Sequence, residues 1–214
     1  MASPPSDRQA HTRVPIHPDI AARWSPRSFD PAAVVTADQL TALLEAARWA
    51  ATWGARQPVR FLVGLRGDET FDTLAGVLRR GNSYATAAGA LILVCADDGE
   101  DERTARYAAV DAGAAMANMG VEAVARGLVT HPMAGFDGDA AAARFGVPQG
   151  VRPIAVVAVG TLGESTDAAI TERDARPRER LDLDEIAFAG RWGEPFPVIR
   201  TLRPAARSGP RTAG

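Results

Sequence analysis

Small and apolar side chains fill residues 107–136 almost without interruption, and this pattern predicts a long buried helix that leads into a short loop containing glycine. Within the helix, apolar or small residues recur at alternating spacings of three and four, which is typical of a helix that buries one face. This stripe consists of Tyr107, Val110, Ala114, Ala117, Val121, Val124 and Leu128. The other face is hardly polar, and the residues on it that we expect to meet water are Asp111, Asn118, Glu122 and Arg126.

Two glycines lie inside this predicted helix. Gly113 and Gly120 each lower its intrinsic stability by about 1 kcal/mol relative to alanine, so we expect another segment of backbone to pack closely against them. A second subunit would provide that contact, and so would a neighbouring element of a monomeric domain. The pattern alone favours neither arrangement.

The remaining hydrophobic patterns predict strands and shorter helices. Continuous apolar runs at 90–96 and 153–160 are typical of strands that are covered on both faces, and VRFLVGLR at 59–66 predicts a third strand. A capping box, Thr36-Ala37-Asp38-Gln39, predicts the start of a helix that buries its leucines. Further helices are predicted at 16–24, 68–78 and 137–145, and an irregular charged segment follows from residue 161.

Length and composition indicate one domain. A chain of 214 residues with 46% hydrophobic residues is long enough to bury a full core. We place this domain at 16–198, with a C-terminal arm at 175–198. The segments 1–15 and 199–214 contain mostly polar residues and proline, so we expect both to be disordered.

Charge and hydropathy exclude several classes of function. The net charge of -2 gives no general attraction to nucleic acid or to an anionic membrane. No apolar stretch is long enough to span a bilayer, and residues 1–13 lack the apolar segment of a signal peptide. We therefore expect a soluble, cytoplasmic protein.

Single reactive residues give weak signals. Cys95 lies in the apolar run ALILVCADD, where a core side chain is favoured over a nucleophile or a metal ligand. The three histidines are too scattered in the sequence to suggest a metal site. Residues 76–83 nearly match a phosphate-binding P-loop, but Asn82 stands where that motif requires lysine, so we reject it.

Two arginine-containing segments are candidates for binding an anion. RWSPRSFD at 23–30 places two guanidinium groups and two hydroxyl groups within a few residues. This suits a phosphate or a planar polar heterocycle, because arginine presents a fork of donors that stays charged. A second group comprises Arg173, Arg176, Arg178 and Arg180. Taken alone, each segment is more typical of a solvated surface.

Taken in order, four segments resemble the nitroreductase family of FMN-dependent NAD(P)H oxidoreductases, over roughly residues 17–193. RWSPRSFD resembles the family's amino-terminal R-x-S-x-R-x-F, and QPVRF at 57–61 resembles its N-x-Q-P-W-x-F. The long helix with HPMAGFD resembles the dimer-core helix and the loop that lies against the isoalloxazine ring. RPRERLDLDEI at 176–186, with a later RWG, resembles the carboxy-terminal R-x-R stretch.

The resemblance implies roles for the arginine segments in binding FMN. Arg23 and Ser25 would bind the phosphate and ribityl chain, joined at the phosphate by Arg178 and Arg180. Trp24 would contribute through its backbone. Arg27 would reach the pyrimidine edge of the ring.

Further positions are implied by the same resemblance. The loop residues that would lie against the ring are Pro132, Met133, Ala134 and Gly135, with a backbone N–H near the last two directed at flavin N5. Thr52, Gln57 and Asn82 are the other candidates for binding the cofactor. His131 would stand at the rim of the pocket as a candidate proton donor to a substrate.

The sequence departs from the family pattern in one region. The family usually has Pro-Ser at Ala51 and Thr52, asparagine at Ala55 and tryptophan at Val59. Thr52 keeps a hydroxyl group, whereas Ala55 has no amide to donate or accept a hydrogen bond. Arg56 is a candidate replacement.

The implied fold is of the α+β class, with a central mixed, mostly antiparallel sheet flanked by helices, in a homodimer with long core helices and FMN between the subunits. The implied reaction is a ping-pong oxidoreduction from NADH or NADPH, through flavin, to a nitroaromatic, quinone, enal or semialdehyde. No metal is implied. The alternatives are a diverged member with altered flavin or deazaflavin chemistry, a non-catalytic dimer without flavin, and an unrelated α/β protein with surface arginines.

Overall fold

The structure, a computed structural model, describes residues 8–197. The described chain divides into two units. Residues 23–175 form the core unit, and residues 8–22 together with 176–197 form the terminal unit. The domain boundaries expected from the sequence stay a prediction.

The elements follow the predicted order. The helices are α1 (Pro18–Ala22), α2 (Ala37–Arg48), α3 (Glu69–Ala75), α4 (Glu102–Ala125), α5 (Gly138–Phe145) and α6 (Ala168–Ala175), with 3-10 helices at Arg80–Ala87 and Leu183–Glu185. The strands are β1 (Val59–Leu65), β2 (Ala90–Asp97), β3 (Val129–Met133) and β4 (Val151–Gly160). The strands predicted near 59–66, 90–96 and 153–160 are confirmed, and so are the helices near 68–78 and 137–145.

The four strands form one sheet in the order β1-β2-β4-β3, and each neighbouring pair is antiparallel. With helices on both faces, this agrees with the expected α+β architecture. β2 is central, and its alternate side chains enter two different hydrophobic clusters. Ile92 and Val94 pack with residues of α2 and α4, whereas Leu91 and Leu93 pack with the cluster that contains Phe71 of α3. A continuous apolar run is required because neither face of this strand meets water.

N-capping side chains set the starts of several helices. Thr36 Oγ1 accepts a hydrogen bond from the N–H of Gln39 at 3.2 Å, and Gln39 Oε1 accepts one from the N–H of Thr36 at 2.9 Å. The predicted capping box is therefore confirmed. Asp68 and Asp137 cap α3 and α5 in the same way, each accepting from a backbone N–H three residues later.

The buried face of α4 differs from the predicted stripe. The side chains that enter the core are those of Ala108, Ala112, Ala115, Met119 and Ala123, all of which are at most 2% exposed. Val110, placed in the predicted stripe, is 59% exposed. The prediction of the inward face was wrong because a helix that is small and apolar nearly all round has no polar face to mark the solvent side.

The segment after α4 is a strand where the sequence predicted a loop. Gly127, with a φ of 72°, ends the turn after the helix, and Val129–Met133 then pairs with β4. β3 lies at the edge of the sheet, where proline is tolerated because its missing N–H breaks no second ladder. Pro132 therefore fits a strand at this position. α6, in the segment expected to be irregular, is a second element that the sequence did not predict.

The terminal unit joins the two ends of the described chain. The N–H of Ala10 donates to the carbonyl oxygen of Ala21 at 2.9 Å, and Arg13 Nη1 lies 3.0 Å from Asp184 Oδ1. Arg8 Nη1 donates to the carbonyl oxygen of Arg176 at 2.8 Å. Residues 8–15, expected to be disordered, thus carry specific contacts, whereas residues 1–7 and the predicted tail 199–214 lie outside the described residues.

Candidate functional site

The segment at 23–30 packs against strand β3. The carbonyl oxygen of Pro26 lies 2.9 Å from His131 Nδ1, in a hydrogen bond. Because a carbonyl oxygen can only accept, the neutral imidazole carries its proton on Nδ1, and Nε2 is left as an acceptor. This bond brings together RWSPRSFD and HPMAGFD, two of the segments that resemble the nitroreductase family.

Burial also sets the protonation of His131. It lowers the pKa of the imidazole, and the bond to Pro26 opposes that effect; the nearby charge of Arg27 lowers the pKa further. The ring is therefore neutral near pH 7. Proton donation by His131 stays a prediction. Its geometry supports a role in holding residues 23–30, which we call the arginine segment, on β3.

Arg27 and His131 share an aromatic neighbour. The guanidinium carbon of Arg27 lies 5.8 Å from the centroid of the Tyr84 ring, within the range of a cation–π contact. The rings of Tyr84 and His131 are tilted against each other, with centroids 5.2 Å apart. Burial raises the pKa of Tyr84 to about 12, so the phenol stays neutral beside the arginine.

Asp174, near the end of α6, is not among the residues predicted from the sequence. Its Oδ2 accepts hydrogen bonds from the backbone N–H groups of Arg27 and Ser28, at 2.8 and 3.0 Å, and from Ser28 Oγ at 3.0 Å. Its Oδ1 lies 3.8 Å from Arg27 Nη1. No local motif marks this carboxylate, because its partners lie about 146 residues earlier in the chain. We call Pro26, Arg27, Tyr84, His131 and Asp174 the arginine–histidine cluster.

Asn82 contacts the loop that follows β3. Its Nδ2 donates to the carbonyl oxygen of Gly135 at 2.8 Å, and the N–H of Arg79 donates to the same oxygen at 2.9 Å. An ideal Cβ on Gly135 would lie 2.6 Å from Asn82 Nδ2, so glycine permits this approach. Asn82 therefore supports the loop, and a direct contact with a flavin ring stays a prediction.

The loop after β3 has backbone N–H groups that no described residue accepts from. Ala134 is exposed and Gly135 partly so, and within residues 8–197 their N–H groups donate to no other residue. Pro132 is exposed. Met133 is only 3% exposed and packs in the hydrophobic core, so contact with a ligand would have to use its backbone.

Arg23 lies beside α4. An ideal Cβ on Gly120 would lie 3.2 Å from Arg23 Cδ and 3.3 Å from Thr130 Oγ1. A side chain, rather than the expected backbone, therefore approaches this glycine. The Cβ position of Gly113 has no atom within 4 Å, so no residue of the range 8–197 packs against it. Trp24 and Ser25, next to Arg23, are partly buried.

Thr52 and Gln57 lie in a different part of the core unit. They line a pocket of about 410 Å³ formed by residues of α2, α4 and β1. The remaining lining is largely apolar and includes Leu44, Val59, Phe61 and Val63. No member of the arginine–histidine cluster lines this pocket. The predicted site residues of the core unit therefore form two separate groups within one chain.

Asp111 anchors the loop that carries Thr52. It was expected to meet water, but it is 4% exposed, and both of its oxygens accept from the N–H of Trp53, at 3.0 and 3.1 Å. The Trp53 ring stacks on Tyr107, with centroids 4.9 Å apart and an interplanar angle of 10°. The prediction for Asp111 was wrong because its partner lies 58 residues away in sequence.

The departures from the family pattern lie in the same loop, except for Val59, which begins β1. Ala55 is exposed. Arg56 Nη2 lies 3.4 Å from Asp97 Oδ1, so this guanidinium already has an anionic partner. Its suggested use as a replacement for the family's amide stays a prediction.

Arg178 and Arg180 belong to the terminal unit. Arg178 Nη1 donates to the carbonyl oxygen of Ala21 at 3.1 Å and also to that of Arg8. Arg180 is exposed, and its Nη1 donates to the carbonyl oxygen of Glu179 at 2.7 Å. Their predicted contact with a phosphate stays a prediction.

Other reactive side chains are accounted for by the core. Cys95 is 2% exposed, and burial raises its pKa to about 11, so the core interpretation is confirmed. Within the described residues, no group of three or more histidine, cysteine, aspartate or glutamate side chains is placed to hold a metal ion. In the same range, no helix has the length and apolar character that a bilayer span requires.

A curated protein and solved structures are similar to this chain. A protein of Mycolicibacterium smegmatis, described as an uncharacterized 15.4 kDa protein in the ask 5′ region, is 67% identical over 148 residues, covering 64% of this chain and 100% of that protein. A crystal structure described as an oxidoreductase containing FMN is 30% identical, with a TM-score of 0.78, and the match covers 85% of this chain and 95% of that one.

The fold and the family agree with these matches. A nitroreductase family protein from Clostridium difficile 630 has the same fold, with a TM-score of 0.63 at 23% identity, over 81% of this chain and 97% of its own. The sequence model of the Nitroreductase family matches residues 20–87 and 77–161, more than half of the chain. The chain therefore belongs to the nitroreductase family.

Proposed function

We propose that this protein is an FMN-dependent oxidoreductase that passes a hydride from NADH or NADPH to a small organic acceptor, and that it works as a homodimer. Family membership and the 30% identity to an oxidoreductase containing FMN support this proposal. The observation that carries it is the joining of the arginine segment to β3 and its loop, through the bond from His131 to Pro26 and the shared contact with Tyr84.

The donor groups at this place fit FMN. Arg23 and Ser25 offer the charged fork and the hydroxyl that suit a phosphate, and Arg27 offers donors for the carbonyl oxygens of a pyrimidine ring. The N–H groups of Ala134 and Gly135 have no acceptor within the described chain. When bound, FMN supplies the redox chemistry, and the protein supplies binding, orientation and electrostatics.

The surrounding residues hold these donors in place. Asp174 binds the backbone N–H groups of the arginine segment, and the ring of Tyr84 packs against the guanidinium of Arg27. Asn82 and Arg79 together bind the carbonyl oxygen of Gly135 and so restrict the loop. A pre-organised set of donors loses less entropy when a ligand binds, which supports a binding role for this region.

A homodimer would explain two features of the single chain. Thr52 and Gln57 lie in a separate pocket, and a second subunit would allow them to face the arginine segment of its partner. The outer face of α4 carries small and apolar residues that are open in the described chain. Val110 is 59% exposed, Ala117 is exposed, and no described residue lies at the Cβ position of Gly113. An exposed apolar face of this kind is typical of a protein–protein interface.

The test is a flavin titration followed by a turnover assay. The purified protein should bind FMN, and NADH or NADPH should then be consumed with menadione or a nitrofuran as the acceptor. Arg23→Ala should weaken FMN binding, whereas Arg144→Ala should leave it unchanged, because Arg144 is exposed in the last turn of α5. Bound flavin without turnover would favour the alternative that this protein is a diverged family member with altered flavin chemistry. No binding after reconstitution would favour the dimer without flavin.

A further inference from the structure

A single carboxylate of α6 holds the backbone of the arginine segment. Asp174 Oδ2 accepts from two successive backbone N–H groups, those of Arg27 and Ser28, and from the hydroxyl of Ser28. The side chain of Asp174 is 11% exposed, so water competes little for these donors. Asp174 also lies outside the residues 20–161 that the family model matches, so family membership does not account for it.

The arrangement restricts both the backbone and the side chain of Arg27. Hydrogen bonds to a carboxylate are stronger than bonds between neutral groups, and two of them on adjacent residues fix the direction of the intervening peptide. The guanidinium is then confined between Asp174 Oδ1, 3.8 Å from Nη1, and the ring of Tyr84. Without Asp174, the segment would keep the hydrogen bond that the carbonyl oxygen of Pro26 accepts from His131, but it would lose the bonds at Arg27 and Ser28.

We propose that Asp174 is a positioning residue for FMN binding, which anchors the segment so that Arg27 is held ready for the pyrimidine end of the flavin. This inference rests on the proposed function. Asp174 itself needs no contact with the cofactor. Its contribution is to reduce the conformational freedom that Arg27 would otherwise lose when the ligand binds.

Two substitutions separate anchoring from charge. Asp174→Ala removes every acceptor. Asp174→Asn can keep an oxygen at the place of Oδ2, where it still accepts from Arg27, Ser28 and the Ser28 hydroxyl. It loses the negative charge that faces the guanidinium of Arg27, and it also loses the bond that Oδ1 accepts from the N–H of Arg27 at 3.0 Å. Asp139→Ala is the control, because this carboxylate is exposed in the first turn of α5.

The measurements are the FMN affinity, from quenching of flavin fluorescence, and amide hydrogen exchange of the apo protein. Asp174→Ala should weaken FMN binding by up to about tenfold, the upper end of the cost of ordering one rotamer-rich side chain on binding. Asp174→Asn should bind at least about threefold more tightly than Asp174→Ala, since an amide oxygen still accepts. Exchange at Arg27 and Ser28 should be faster in Asp174→Ala than in wild type, with protection of β2 unchanged.

The outcomes distinguish this inference from the proposed function. If wild type does not bind FMN, the proposed function fails and the role of Asp174 in binding fails with it. If wild type and Asp174→Ala bind FMN equally, or if Asp174→Asn is as weak as Asp174→Ala, the positioning role alone is overturned. If Asp174→Ala does not fold, the comparison of Asp174→Asn and Ser28→Ala with wild type decides the question: affinity unchanged in both variants overturns the role, and a graded loss supports it.

Discussion

Asn82 and Gly135 are packed so closely that a Cβ at the second position would displace the amide group of the first. Asn82 Nδ2 donates to the carbonyl oxygen of Gly135 at 2.8 Å, and a methyl group on Gly135 would lie 2.6 Å from the same nitrogen. The contact ties the loop after β3 to the 3-10 helix at Arg80–Ala87. This amide side chain therefore supports the loop together with the N–H of Arg79, which donates to the same oxygen.

Gly135→Ala should displace Asn82 and break this hydrogen bond. We expect a loss of about 1 kcal/mol in the free energy of unfolding from the bond, with a further cost from the steric conflict. Asn82→Ala should lose the bond alone. Denaturant unfolding of the two single variants and the double variant would measure the coupling.

The double variant tests the cause of the effect. With Asn82 already removed, the added methyl group meets no amide, so the two changes should cost less together than the sum of the single losses. Strictly additive losses would contradict the contact. Gly81→Ala is the control, because its Cβ position has no atom within 4 Å.

Asp111 should stabilise the loop between α2 and β1. Asp111→Ala leaves the N–H of Trp53 without its acceptor, and we expect a loss of about 1.5–3 kcal/mol in the free energy of unfolding, as for hydrogen bonds to charged groups. Asp111→Asn keeps an acceptor and should lose less. Equal stability of wild type and Asp111→Ala in urea would contradict the role given to this buried carboxylate.

The contact between β1 and α3 should tolerate no side chain at Gly64. An ideal Cβ there would lie 2.3 Å from the backbone nitrogen of Phe71 and 2.5 Å from its Cα, and backbone atoms cannot rotate away. Gly64→Ala should therefore destabilise the protein by about 3 kcal/mol or more, at the upper end of overpacking effects. Thermal unfolding beside Gly81→Ala would check this, and a melting temperature shared by both variants would contradict it.

Three of the four strands and the capping box of α2 were predictable because their signals are local. β2 is a run of apolar residues, and Thr36 and Gln39 form their capping box within four residues. The arginine segment and the HPMAGFD stretch, which the family resemblance selected together, are in contact through the hydrogen bond between Pro26 and His131. Their roles in binding a flavin stay a prediction.

The sequence predictions that failed concern residues whose partners lie far away along the chain. Asp111 was expected to face water because its only visible context was a helix, whereas its donor is the N–H of Trp53. Asp174 gave no signal because the groups that it binds lie at the other end of the core unit's sequence. The inward face of α4 could not be chosen because its residues are small and apolar on both sides, which is the composition expected when a second surface is also to be covered.

The outer face of α4 provides a test of self-association. Val110→Arg places a charge on a residue that is 59% exposed in the single chain, so a monomer should tolerate it. If the face is covered by a second subunit, the variant should be monomeric and should lose FMN affinity. Analytical ultracentrifugation would measure the change.

Val34→Arg is the matched control for this test. Val34 is 75% exposed and precedes α2 in the chain. It should leave the sedimentation coefficient and FMN binding unchanged. A Val110→Arg protein that sediments like wild type and binds FMN equally well would contradict an interface on this face of α4.

His131 should make the stability of the fold depend on pH. Burial lowers its pKa below the ordinary value of about 6.5, so the unfolded chain binds a proton more readily than the folded one. The stabilisation is then present above about pH 6.5 and is lost as the pH falls toward the folded pKa, with a slope of at most about 1.4 kcal/mol per pH unit.

His131→Asn keeps an amide N–H that can donate to Pro26 but does not titrate. Urea unfolding of both proteins between pH 7.5 and pH 5 should therefore show wild type losing stability relative to the variant as the pH falls. Parallel curves would contradict the buried, neutral imidazole, and a wild type that gains stability at low pH would require an imidazolium in the folded state.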